Sequence, residues 1–141
     1  MDRPRFHLAV GVDDLDAARR FYGGVLGCSP GRSDHGWIDW DLYGHQFVTH
    51  LVEVGLMARP EAHSTVDGHQ VPVPHFGILL SIDEFHRLSE RLTAAGTPFV
   101  IEPYLRFVGA RGEQWTMFLN DPAGNAIEFK AFADDADVFS A

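Results

Sequence analysis

Hydrophobic and polar residues follow the same order twice along this chain, which predicts a duplicated architecture. The stretches FHLAVGVDDLDAARRFYGGVLGC, at 6–28, and HFGILLSIDEFHRLSERLTAAGT, at 75–97, each contain an apolar strand, an acidic helix start, a helix and a glycine. In both helices apolar residues recur at positions i, i+3, i+7 and i+10, which is the spacing of an amphipathic helix. The stripe consists of Leu15, Ala18, Tyr22 and Val25 in the first copy and of Phe85, Leu88, Leu92 and Ala95 in the second.

Three strand-like segments follow each helix, because apolar and polar residues alternate there with the period of a β-strand. They lie at about 28–33, 37–43, 45–53, 98–107, 113–120 and 125–132. Each half of the chain is therefore predicted to be a βαβββ module.

The boundaries of the modules follow from the same pattern. Module 1 is predicted at about 5–53 and module 2 at about 75–132, with a tail at 133–141. The segment 54–74 between them is rich in Gly, Pro and polar residues and has no clear period. It is interpreted as a linker or as a lid.

A single βαβββ module would leave one face of its sheet bare, so the two modules are expected to pair. The predicted fold class is α+β, with paired mixed sheets that form a concave cleft and with the helices on the outside. A chain of 141 residues is then one domain.

Strand alternation predicts which polar side chains line this cleft. In the first strand of each module the apolar residues pack on the helix, so His7 and His75 face inward, and the same parity turns Glu128 inward on the last strand. Two imidazoles and one carboxylate form a ligand set that leaves open positions on a divalent metal ion. We therefore predict that His7, His75 and Glu128 bind a metal.

Four further side chains are candidates for catalysis and substrate binding. His50 faces inward one pleat repeat from Val48 and is predicted to act as an acid or base, while a fourth metal ligand, an outer hydrogen-bond partner of the metal site and a structural histidine stay open. Tyr104 is the second catalytic candidate. Arg106 and Arg111 are predicted to bind an anionic substrate that chelates the metal through two adjacent oxygens.

Composition narrows the class of partner. Eleven Lys and Arg against 20 Asp and Glu give a formal net charge of −9, which disfavours nucleic acid and anionic membranes and favours a small-molecule substrate. The single cysteine, Cys28, cannot form an internal disulfide. No apolar stretch reaches the length of a signal peptide or a membrane span, so a cytoplasmic location is expected.

The duplicated plan, the opening FHLAVGVDDLDAARRFYGGVLGC and the close FLNDPAGNAIEFK resemble the vicinal oxygen chelate superfamily. This superfamily includes glyoxalase I, extradiol dioxygenases, and the fosfomycin- and bleomycin-resistance proteins, and the resemblance covers nearly the whole chain. Its metal-dependent members use a His on the first strand of each module and a Glu on the last strand, which correspond to His7, His75 and Glu128. Dimers are common among them, so the resemblance adds a homodimer as an open alternative.

Glyoxalase I has a further carboxylate ligand on the last strand of its first module. This chain has Val48 and His50 at the inward positions there, which disfavours lactoylglutathione lyase activity. We predict a metal-dependent oxidoreductase resembling the extradiol dioxygenases, with Fe(II), because three ligands leave room for a bidentate substrate and dioxygen. The alternatives are a Lewis-acid lyase, isomerase or epimerase with Zn, Ni, Co or Mn, and a non-catalytic protein that binds a small ligand.

Overall fold

The computed structural model describes residues 3–54 and 62–141. In this part of the chain the strands are β1 His7–Val12, β2 Ser29–Asp34, β3 Trp37–Leu42, β4 His45–Leu51, β5 Ala62–Val66, β6 His69–Val73, β7 Phe76–Leu79, β8 Phe99–Arg106, β9 Gln114–Asn120 and β10 Ala126–Phe132. The helical segments are α1 Leu15–Ala18, a π-helix at Arg19–Val25, α2 Ile82–Ala94 and a 3₁₀ turn at Asp135–Asp137. No helix among these is long and apolar enough to cross a bilayer.

The chain divides into two compact units. The first comprises Met1–Arg59 together with Asp121–Asn125, and the second comprises Pro60–Asn120 together with Ala126–Ala141. Each unit contains one four-stranded mixed sheet, with the strand order β1-β4-β3-β2 in the first and β7-β10-β9-β8 in the second. The predicted βαβββ modules are confirmed, and the strand ends agree with the sequence pattern to within two residues. The pairing of the two sheets into one cleft stays a prediction.

The two sheets have the same hydrogen-bonding plan. In the first, β4 pairs with β1 in parallel and with β3 in antiparallel orientation. In the second, β10 pairs with β7 in parallel and with β9 in antiparallel orientation. The last strand of each module is therefore a central strand, and its backbone is hydrogen-bonded to a neighbouring strand on both sides.

The second helix follows its predicted stripe at three of four positions, whereas the first departs further from it. In α2, Phe85, Leu88 and Leu92 are buried, but Ala95 is exposed, because the helix ends at Ala94. In the first copy the buried residues are Ala18, Phe21, Tyr22, Leu26 and Cys28, whereas the predicted Leu15 and Val25 are only half-buried. Val25 is displaced by the π-helical segment, in which the amide of Leu26 donates to the carbonyl of Phe21 at 2.8 Å, five residues back. A π-helix has more residues per turn than an α-helix, which shifts the buried positions.

The segment interpreted as a linker or lid contains a β-hairpin. Strands β5 and β6 pair from Ala62 opposite Val73 to Val66 opposite His69, and residues 55–61 lie outside the described part of the chain. At the turn, Asp67 and Gly68 have φ values of 52° and 79°, a conformation that Asp-Gly pairs favour in two-residue hairpins.

The hairpin packs on the sheet of its own unit. Val71 is buried against Ile101 of β8 and Phe118 of β9, and Val66 and Tyr104 border this cluster. Such packing explains how a segment without a clear amphipathic period acquires a fixed structure.

The turn Asp121–Asn125 belongs to the first unit although it connects β9 to β10. Asp121 is buried, and its Oδ1 accepts from the amides of Ala123 and Asn125 at 2.9 and 2.8 Å. Its Oδ2 accepts from the hydroxyl of Tyr22 at 2.7 Å and from the side chain of Asn125 at 2.8 Å, and Asn125 also donates to the carbonyl of Gly11. The DPAGN motif is therefore explained by a buried hydrogen-bond network.

Burial, and next the nearby Asp121 carboxylate, raise the pKa of Tyr22 well above its ordinary value of 10.0. Because the folded protein holds the Tyr22 proton more tightly than the unfolded chain does, this group stabilises the fold below pH 10.0. The protein loses that stability as pH rises through the folded-state pKa. We expect Tyr22→Phe to lower the free energy of unfolding by about 1–3 kcal/mol at neutral pH. We also expect it to flatten the decline in stability above pH 10.0. Urea unfolding at neutral pH and at several values above pH 10.0 measures both effects, with Tyr43→Phe at an exposed tyrosine as the control. Equal alkaline slopes for Tyr22→Phe and the unmodified protein would contradict it.

Candidate metal and substrate site

Glu128 lies at the centre of the second sheet. It pairs with Gly77 of β7 on one side and with Phe118 of β9 on the other, and only 9% of its surface is exposed. A carboxylate in such a place is unfavourable unless cations and hydrogen-bond donors surround it.

Three side chains surround the Glu128 carboxylate. His75 Nε2 lies 2.9 Å from Oε2. The hydroxyl of Thr116 donates to Oε1 at 2.9 Å, and the ammonium of Lys130 lies 3.4 Å from the same oxygen. The partners come from β9, from β10 and from the residue before β7, so the register of the sheet brings them together.

The His75 ring is held from both sides. Its Nδ1 lies 2.7 Å from the carbonyl of Pro72, and its ring meets Phe118 edge to face at 5.0 Å between centroids. A carbonyl accepts hydrogen bonds only, so Nδ1 carries the proton and Nε2 is the nitrogen turned toward Glu128. Backbone carbonyls fix metal-binding histidines in this tautomer. His75 and Glu128 thus present a nitrogen and an oxygen of the kinds that divalent metals bind.

The close approach of β7 to β10 depends on Gly77. A Cβ at this position would lie 1.5 Å from the carbonyl oxygen of Glu128 and 2.6 Å from its carbonyl carbon. Any side chain would therefore separate the two strands and move His75 away from the carboxylate.

Tyr104 and Arg106 lie on one face of β8, as their spacing predicts, and both contact the hairpin turn. Asp67 Oδ2 accepts from the Tyr104 hydroxyl at 3.0 Å and from Arg106 Nε at 2.5 Å. The hydrogen bond from Arg106 is the main cause that lowers the pKa of Asp67 below 3.8. Burial, and next the hydrogen bond to Asp67, raise the pKa of Tyr104 above 10.0. At neutral pH the Tyr104 phenol is therefore a hydrogen-bond donor.

Arg111 lies in the loop after β8 and pairs with the tail. Its Nε is 3.5 Å from Asp137 Oδ1, and 67% of its side chain is exposed. The same carboxylate accepts from the amide of Gly112. Arg111 thus lies beside the tail turn in an exposed ion pair, and its role toward substrate stays a prediction.

The remaining predicted site residues belong to the first unit. His7 lies on β1 opposite Gln46, and His50 lies on β4 opposite Trp37, both exposed. Val48 is buried. Within either unit, residues 3–54 and 62–141 contain no group of three or more His, Cys, Asp and Glu side chains placed to hold a metal. The structure thus brings His75 and Glu128 into contact, and His7 as the third ligand stays a prediction.

Sequence reasoning missed three residues that contact the predicted ones. Lys130 follows Glu128 by two positions, so alternation alone could have placed it on the same face. Thr116 reaches Glu128 only through the register of β9, and Asp67 reaches Arg106 only through the hairpin. Neither contact leaves a local signal in the sequence.

The family model of the Glyoxalase/Bleomycin resistance protein/Dioxygenase superfamily matches residues 6–129. The chain belongs to this superfamily. The resemblance of its opening and close is thereby confirmed, and the superfamily includes metal-dependent enzymes such as fosfomycin resistance proteins.

Solved structures of the superfamily share the fold. A glyoxalase/bleomycin resistance protein/dioxygenase from Alicyclobacillus acidocaldarius is 33% identical, with a TM-score of 0.79 and coverage of 99% of this chain and 100% of that one. A fosfomycin resistance protein from Listeria monocytogenes is 16% identical, with a TM-score of 0.70 and coverage of 97% and 98%. A glyoxalase/dioxygenase from Nostoc punctiforme is 17% identical, with a TM-score of 0.68 and coverage of 94% and 92%. No curated protein matches the chain.

Because Gly77 lies against the backbone of Glu128, we expect Gly77→Ala to lower the free energy of unfolding by at least about 3 kcal/mol. The matched control is Gly24→Ala, since a Cβ at Gly24 meets no atom within 4 Å. Chemical unfolding of both variants measures the difference. A Gly77→Ala protein as stable as the Gly24→Ala protein would show that the strands separate without cost.

Proposed function

We propose that this superfamily member is a divalent-metal-dependent enzyme that acts on a small substrate with two neighbouring oxygens. His75 and Glu128 hold the ion together with His7, the third residue of the predicted set. The observation that supports this most directly is the 2.9 Å approach of His75 Nε2 to the buried Glu128 carboxylate, with Nδ1 on the Pro72 carbonyl.

The chain's own residues prepare the ligands. The carbonyl of Pro72 keeps the proton of His75 on Nδ1, and the hydroxyl of Thr116 holds Glu128 Oε1, which leaves Oε2 directed at the imidazole. A bound ion would supply Lewis acidity and, if it is iron, redox activity toward dioxygen. Fixing both ligands in advance lowers the entropy cost of binding the ion.

The surroundings of Glu128 favour a charged, compact substrate. Lys130 provides an ammonium 3.4 Å from the carboxylate, and Tyr104 and Arg106 add a phenol donor and a guanidinium on the same face of the sheet. Such groups stabilise negative charge on a substrate or on a transition state. A catechol carries its charge on the two oxygens that chelate the metal, so its apolar ring offers no second anionic group to these side chains.

Of the two predicted reaction classes, this polar face favours Lewis-acid chemistry, as in a lyase, isomerase or epimerase, over the dioxygenase reaction with Fe(II). Zn, Ni, Co or Mn then suffices, because no redox step is required. His50 is proposed to move a proton, and Tyr104 to donate a hydrogen bond. A homodimer and a cytoplasmic location are kept as proposals.

Removal of a ligand is expected to weaken Mn²⁺ binding by more than about 100-fold, because even outer hydrogen-bond partners contribute 10- to 100-fold. The variants are His75→Ala, Glu128→Gln and His7→Ala. Thr116→Val should lower the Mn²⁺ affinity by about 10- to 100-fold, and Thr116→Ser should bind Mn²⁺ as tightly as the unmodified protein does. Calorimetric titration of Mn²⁺ measures the affinities, and His35→Ala, in the exposed β2–β3 turn, is the control.

Circular dichroism checks that each variant is folded. His50→Ala should keep its metal, as expected of an acid or base. Stoichiometric metal in all three ligand variants would remove the proposed site.

The two reaction classes differ in their demand for dioxygen. We expect turnover of an oxyanion substrate under nitrogen with Mn²⁺ or Ni²⁺, with no oxygen uptake in air. An oxygen electrode and product analysis measure this with fosfomycin, a hemithioacetal and catechol as probes, because each carries neighbouring oxygens. Oxygen uptake in step with ring opening of catechol, seen only with Fe(II), would reject the Lewis-acid class and restore the dioxygenase prediction.

A further inference from the structure

The face of the second sheet that carries Glu128 also carries a row of donors. Tyr104 of β8 lies opposite Thr116 of β9, and Thr116 lies opposite Lys130 of β10. Arg106 lies one pleat repeat from Tyr104 on the same face. Hydrogen-bond donors and cations therefore extend from the edge strand β8 to the Glu128 carboxylate.

Two of these donors converge on one point. The Tyr104 hydroxyl and Arg106 Nε both donate to the same oxygen, Asp67 Oδ2. This oxygen is not part of the sheet, since Asp67 stands at the turn of the β5–β6 hairpin. The position thus accommodates an anionic oxygen that reaches the sheet from outside.

Arg106 is also fixed by a contact that does not involve Asp67. Its guanidinium lies over the ring of Phe107, 4.7 Å from the centroid, and its side chain is 16% exposed. The Asp67 side chain is 39% exposed. The donors are therefore held by the sheet side, while the acceptor lies on the more exposed side.

We propose that Tyr104 and Arg106 form a binding subsite for an oxyanion group of the substrate, a phosphate, phosphonate or carboxylate, and that Asp67 fills this subsite as a tethered carboxylate. The incoming oxyanion displaces Asp67, and the hairpin turn moves away from β8. This inference deepens the proposed function and rests on it for the role of the subsite in a reaction. The anion binding itself requires no metal.

A tethered carboxylate competes with a free anion at an effective concentration in the millimolar range. Removing its charge should therefore increase the apparent affinity for a free anion, because more of the protein has an open subsite. We expect Asp67→Asn to bind inorganic phosphate at least about tenfold more tightly than the unmodified protein. Asparagine suits the φ of 52° at this position.

The experiment titrates phosphate into the metal-free full chain in the presence of a chelator, followed by NMR, with sodium chloride at equal ionic strength as the reference. The matched control is Asp39→Asn, which removes a carboxylate 3.6 Å from Arg32, an arginine with no predicted role toward substrate, and changes the net charge equally. The gain should be absent in the control and lost in the double variant Asp67→Asn/Arg106→Gln. Asp67→Gly also suits a positive φ and gives a second test if the first variant folds poorly.

Two results would overturn the subsite: a phosphate affinity of Asp67→Asn equal to that of the control variant, or a gain in affinity that persists without Arg106. Asp67 would then serve only to hold the hairpin turn against β8. Metal affinity, measured separately, should be the same in Asp67→Asn and the unmodified protein. If Asp67→Asn keeps its metal affinity but gains no phosphate affinity, only this inference is wrong. If Asp67→Asn gains phosphate affinity but His75→Ala still binds metal, only the proposed function is wrong.

Discussion

The second unit is organised around the need to stabilise one buried carboxylate. Glu128 sits on a central strand, and burying its charge without partners would cost several kcal/mol. Lys130 lies on the same strand as Glu128, whereas Thr116 comes from β9 and His75 from the residue before β7. The carboxylate therefore has all three neighbours only when β7, β9 and β10 have their observed register. The same arrangement leaves an imidazole nitrogen and a carboxylate oxygen side by side, which is what a divalent ion requires.

Carboxylates also determine two other parts of the structure. Asp121 accepts from Tyr22 and Asn125 and thereby ties the β9–β10 connection into the first unit. Asp67 accepts from Tyr104 and Arg106 and joins the hairpin turn to β8. Tyr22, Tyr104 and Arg106 lie on different elements from the carboxylates that accept from them, so these hydrogen bonds fix tertiary structure. A chain with a net charge of −9 uses part of its acidic excess in this way.

Local properties of the sequence were predictable, and properties that depend on register were not. Duplication gave the two modules, and strand parity placed His75 and Glu128 on one face, because the side-chain period of a strand is two. Parity does not say which residue of β9 lies beside Glu128, so Thr116 escaped notice. The hairpin was missed because its stability comes from Val71 packing on Phe118, although the Asp67-Gly68 pair is a turn signal. The π-helix changed the buried positions of the first helix, which a pattern based on 3.6 residues per turn does not predict.

The central claim is that the His75 imidazole and the Glu128 carboxylate are ligands of one divalent ion. Long-range ¹H–¹⁵N NMR of the histidine side chains during addition of Zn²⁺ tests it most directly, because it reports each ring nitrogen separately. Zinc should shift the Nε2 resonance of His75 to that of a metal-bound nitrogen and leave Nδ1 protonated on the Pro72 carbonyl, while exposed His35 stays unchanged. A His75 spectrum that does not change at saturating zinc would contradict the claim.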